Sequence, residues 1–131
     1  MHMWIEQAEE LGALITHHSI QATISPIPES EAGLDDDTFS HFEITVMYQQ
    51  HTLTCPIFIP QNKIRPAFLV SPRHLFEHII IELTILLEAD NAQDQLSGTH
   101  MLKDLETLFG KELFFQLARL TCWWKDELEQ L

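Results

Sequence analysis

His74, Glu77 and His78, in the run H-L-F-E-H, are the grouping in this chain whose types and spacing could do chemistry. On a helix, positions i and i+4 share a face, so two imidazoles could hold one metal ion while a neighbouring carboxylate acts as base. The order His-x-x-Glu-His is that of the inverted zincins, which makes a small zinc hydrolase one reading. Such an enzyme also needs a third ligand and a substrate cleft, and the pattern is short. The plainer reading is a partly exposed histidine pair with ordinary hydrogen bonds, a non-enzymatic chain, and no metal or cofactor.

Other residue types point the same way. His17, His18, His41, His51 and His100 are scattered without ligand spacing. Cys55 and Cys122 would each need a positioned base and a depressed pKa to act as nucleophiles, and in an acidic chain both read better as core or semi-buried thiols. Four glycines, Gly12, Gly33, Gly98 and Gly110, form no phosphate-binding loop, which disfavours nucleotide binding.

Charge is the most distinctive property. The 131 residues carry 20 acids against 7 Lys and Arg, a formal charge of −13, which opposes direct contact with nucleic acid or anionic membranes. No Lys or Arg occurs before Lys63, whereas Glu6, Glu9, Glu10, Glu29, Glu31, Asp35, Asp36, Asp37 and Glu43 all do. Solubility alone accounts for such a bias. The sharper reading is a negative surface made for a protein with a basic one. The N-terminus lacks a basic segment followed by an apolar one, and no apolar run approaches the length of a membrane span. With two isolated cysteines, this predicts a reduced, cytoplasmic setting.

The elements that must position these residues follow from periodicity. Trp4 to Leu14 has the spacing of a short amphipathic helix whose acids suit its N-terminal dipole. Ile15 to Ile27 then alternates as a strand until Pro26 and Pro28. ESEAGLDDDT, residues 29–38, is an acidic loop. Phe39 to Tyr48 and Thr52 to Ile59 alternate strongly and predict a strand pair joined through Gln49, Gln50 and His51, with Pro56 giving the second strand an edge or irregular position. Ser71 and Pro72 open the central helix, Ser71 to Glu88, whose stripe of Leu75, Phe76, Ile79, Ile80, Leu83, Leu86 and Leu87 predicts the floor of a core. Ile81 and Ile85 form a second apolar stripe beside His74 and His78. Asp90 to Gly98 reads as a polar break, Thr99 as the cap of a helix over Met101 to Phe109, and Lys111 to Gln130 as a last helix after Gly110.

The expected fold is one α+β domain over residues 1–131: an N-terminal helix, a three-stranded antiparallel sheet, then three helices packed on one sheet face. Phe115, Trp123, Ile81 and Ile85 are the aromatic and aliphatic candidates for a protein contact, beside the acids Glu29, Glu31, Asp35, Asp36, Asp37 and Glu43. The Ile81 and Ile85 stripe would equally serve a homodimer.

In layout the chain resembles a loose group of small phage and prophage proteins. The residues carrying the resemblance are Ala8-Glu9-Glu10-Leu11-Gly12, the acidic loop before the strand His41 to Val46, and the proline-led helix start at Pro72 to Phe76. A short helix, a glycine and a C-terminal helix follow in both. The resemblance transfers no catalytic residues. It implies a mobile-element origin and a role in binding and blocking host machinery, as anti-CRISPR and anti-restriction proteins do by nucleic-acid mimicry. An immunity or antitoxin protein for a basic nuclease would share the same charge.

Overall fold

The computed structural model describes residues 2–27, 39–60 and 71–121. Their order is α1 (His2–His17), β1 (Gln21–Pro26), β2 (Phe39–Tyr48), β3 (His51–Pro60), α2 (Pro72–Leu87), α3 (Ala92–Phe109) and α4 (Lys111–Arg119). This is the expected α+β architecture, with three helices after the sheet.

The sheet is antiparallel in the order β1-β2-β3. Its alternation decides its two faces. Ile44, Val46, Tyr48, Cys55, Ile57 and Ile59 are buried on one side, while Thr23, Thr45 and Thr54 share a row on the other, with Thr45 and Thr54 hydroxyls 3.2 Å apart. Among the described residues only the apolar face is covered. Leu75, Phe76, Ile79 and Leu83 of α2 pack onto it with Leu11 and Ile15 of α1, Leu105 and Phe109 of α3, and Leu113, Phe114 and Leu117 of α4. Phe109 joins the layers, its ring 5.3 Å from Tyr48 and 6.0 Å from Phe76.

Hydrogen-bond phase explains how the prolines are tolerated. The N–H of Ile27 donates to the carbonyl of His41 at 2.9 Å, so by antiparallel alternation Ser25, Thr23 and Gln21 also bond to β2. Glu43 therefore turns its backbone groups toward β1. Its opposite number in β3, Pro56, turns its nitrogen away from the ladder, as does Pro60 opposite Phe39. Neither proline costs a bond within the sheet.

Several boundaries differ from the sequence reading. α1 runs to His17, past Leu14, and its first turn holds no acid. Residues from Ile15 therefore belong to a helix until Ser19, at φ +54°, redirects the chain into β1. The β2–β3 connection is the two residues Gln49 and Gln50, both at positive φ (51° and 68°), and His51 pairs with Tyr48. Two positive φ values in a two-residue loop match the twist of the strands, a geometry usually supplied by Asn-Gly.

Ser71 occupies the N-cap of α2 and Pro72 its first turn, although the serine side chain makes no cap bond. The largest correction concerns α3. It begins at Ala92, capped by Asn91, whose side chain accepts from the Asp94 N–H at 2.8 Å, so Asp90 to Gly98 is mostly helix rather than a break. Thr99 lies inside it and donates to the Gln95 carbonyl. Gly98 is there for packing: a Cβ would stand 3.0 Å from Leu86 Cβ and from the Leu87 nitrogen. Gly110, at φ +81°, ends α3 and begins α4 as expected. The last helix is described to Arg119, with residues 122–131 outside the described part.

Candidate functional site

Among the described residues, α2 carries His74, His78 and Glu82, three of the four groups whose pKa is clearly shifted. Glu77 is fully enclosed, and Arg73 Nε lies 3.8 Å from its Oε1 on the preceding turn. Arg73 also donates through Nη2 to His74 Nε2. A guanidinium has only donors, so His74 Nε2 must be the acceptor, which fixes the Nδ1–H tautomer and commits the lone pair a metal would use. The Arg73 stem packs near Gly12, where α1 crosses α2.

Burial, followed by Arg73, lowers the pKa of His74. Burial, followed by His74, lowers that of His78 to about 4. Both imidazoles are neutral near pH 7 for the same reason: burial takes the charged form out of water, and the neighbouring basic side chain disfavours it further. Among the described residues no three His, Cys, Asp or Glu side chains converge on a common metal position. His74, Glu77 and His78 thus share a helix without a third ligand from the described residues, and the glutamate a hydrolase would use as base does not reach solvent.

Glu82 is the group that sequence reasoning missed. It is 6% exposed, and its Oε2 accepts from the Phe58 N–H at 3.4 Å on the outer edge of β3. Burial raises its pKa to about 7; the Phe58 bond opposes that rise and Asp94 adds to it. The signal was available, since Glu82 stands seven residues after Leu75 and three after Ile79, at core-face spacing.

Cys55 is buried in the sheet, with its thiol pushed up to about 12 by burial and by Asp104. It has none of the thiolate character a nucleophile needs.

The contact candidates separate. Ile85 and Phe115 are exposed at 57% and 60%, but Ile81, His74 and His78 are half-buried, so the second stripe of α2 is open only at its C-terminal end. Ile85 lies on α2 and Phe115 on α4, with α3 packed against both helices. Leu87 and Leu96, at the ends of the α2–α3 hairpin, and Phe58 on the open sheet face are further exposed apolar side chains. Phe58 stacks edge-on against His41 at 4.6 Å. Leu87 was expected in the core stripe, but it sits at the edge where Gly98 draws α3 close.

Glu6, Glu9 and Glu10 are exposed on α1, and Glu43 is exposed on the open face of β2. Glu29, Glu31, Asp35, Asp36, Asp37 and Trp123 lie outside the described residues. A groove of about 390 Å³ between α1 and α4 is lined by Glu10, Ala13, Leu14, His17, Gln116, Arg119 and Leu120, away from both the histidines and Ile85. Among the described residues no helix is long and apolar enough to cross a membrane. Comparison with protein-family profiles, curated proteins and solved structures finds no match to this chain.

Proposed function

We propose that this chain is a non-enzymatic acidic binding protein of mobile-element origin. In this reading it inhibits a bacterial nucleic-acid-binding defence or DNA-processing protein by occupying its basic surface as nucleic acid would. The observation that carries it is the one-sided charge: nine acids and no Lys or Arg precede Asn62. The exposed positions of Glu6, Glu9, Glu10 and Glu43 support the reading, because exposed like charges raise association with an oppositely charged surface and select against other partners. Exposed Ile85 and Phe115 supply apolar anchors of the kind that give such contacts their affinity. The mobile-element origin rests on the layout resemblance alone.

The test is retention of bacterial proteins on the immobilised chain at low salt, elution by a salt gradient, and competition by nucleic acid. A retained nucleic-acid-binding protein, released by salt and displaced by its own nucleic acid, is the expected result. Replacing Asp35, Asp36 and Asp37 by Asn should then weaken binding and flatten its salt dependence. Unchanged affinity and slope for that partner would overturn the mimicry.

A further inference from the structure

The two edges of the sheet are not treated alike. On the outer edge of β3, Pro56 and Pro60 have no N–H to offer, and the Phe58 N–H is taken by the Glu82 carboxyl. That edge cannot template another strand along those residues. β1 pairs with β2 on one side only among the described residues. The phase set by the Ile27 to His41 bond turns the N–H and C=O groups of Ala22 and Ile24 outward, and no described residue meets them.

We propose that β1 is the dimer interface of this protein, pairing antiparallel with β1 of a second copy about a two-fold axis at Thr23 to make one continuous six-stranded sheet. The occupant follows from charge. Gln21–Pro26 contains no ionisable side chain in a chain of net charge −13, so self-pairing here sets no like charges opposite each other.

The register follows from the donors. Ala22 exchanges both backbone bonds with the partner's Ile24, and Ile24 does so with the partner's Ala22, four bonds in all by antiparallel geometry. Ile20 then faces the partner's Pro26. The Ile20 N–H is already spent on the Ile15 carbonyl at 3.0 Å, and proline has none, so neither leaves a donor unmet. Shifting the axis to Ala22 or Ile24 leaves a carbonyl of one of these residues opposite a position with no free N–H. The Thr23 axis also sets Thr23 against the partner's Thr23, extending the Thr54, Thr45, Thr23 row unbroken through both copies. On the covered side the half-buried Ala22 and Ile24 meet as small against large.

Sedimentation of the full chain, with Cys122→Ser to leave the buried Cys55 as the remaining thiol, tests the interface. Dimer is expected, with Ala22→Pro raising the dissociation constant at least tenfold at unchanged circular dichroism, because that N–H serves no bond within the sheet. Directly opposed residues at a non-hydrogen-bonded pair stand about 4.5 Å apart at Cα, within disulfide reach. Thr23→Cys should therefore oxidise to a covalent dimer, while Ser25→Cys, opposite the partner's Gln21, should not. A monomer at all concentrations overturns the proposal. So does a dimer indifferent to Ala22→Pro but lost in Ile85→Lys, or one cross-linked through Ser25→Cys and not Thr23→Cys.

Discussion

Replacing Glu82 by Gln isolates the ionisation of one buried carboxyl. Burial holds its pKa at about 7 against an ordinary 4.5, with the Phe58 N–H opposing the shift and Asp94 adding to it. Between those values the unfolded chain has released the proton and the folded chain keeps it. The stability contributed by the neutral carboxyl is therefore complete below pH 4.5 and lost as pH rises through 7. At about 1.4 kcal/mol per unit, the loss is about 3 kcal/mol. Gln keeps an oxygen for the Phe58 N–H and cannot ionise. Its own packing cost is the same at every pH, so the readout is the slope, not the level. His78 sets the comparison: with its pKa lowered from 6.5 to about 4, it withdraws stability as pH falls through that range. Between pH 4.5 and 6.5 the two residues act with opposite signs and offset each other. Urea unfolding across this range should give wild type little slope from this pair. Glu82→Gln should lose about 1.4 kcal/mol per unit as the medium is acidified, and gain about 3 kcal/mol relative to wild type between the acidic and alkaline ends. Parallel curves for the two proteins would refute the buried, neutral Glu82.

His78→Gln should show the mirror image, removing the acid-side loss of about 3 kcal/mol while leaving the alkaline limb of wild type in place, as read by the same titration. Gly98→Ala should destabilise by about 1–3 kcal/mol in thermal or urea unfolding. A Cβ there meets the Leu87 backbone at 3.0 Å, which outweighs the ordinary helix gain of about 1 kcal/mol.

Where side-chain period and burial coincide, the sequence was sufficient. Ile44, Val46 and Tyr48 alternate with polar neighbours and are buried on one face, and of the edge or irregular position that Pro56 implies, the strand order shows the edge. The misread places are those where a residue's local preference is overridden by what packs against it. Ser97-Gly98-Thr99 has the composition of a helix start, but Gly98 is inside α3 because α2 approaches too closely for a side chain there. Glu77 and Glu82 look like interruptions of an apolar helix, yet both are buried. Arg73 stands one helical turn before Glu77, a spacing legible in the sequence, but only the tertiary arrangement brings the Phe58 N–H to Glu82. The second stripe of α2 was legible as apolar, but its partial coverage was not. Nothing in helical period says that His74, His78 and Ile81 are half-enclosed while Ile85 stands out.

The two-residue loop at Gln49 and Gln50 also bears on the order in which the chain assembles. β2 and β3 are neighbours in sequence and share the most extensive pairing in the sheet, as α2 and α3 do among the helices, so each pair closes with little loss of chain entropy. β1 pairs with β2 across a longer connection, from Pro26 to Phe39. Hairpins close in microseconds, and such local units are expected to precede the non-local strand. During that interval the β2 edge that β1 will later cover is open. A chain whose last-added strand carries no charged side chain can complete that edge with its own β1 or with another copy's, so slow refolding at high concentration favours exchanged strands over docked ones.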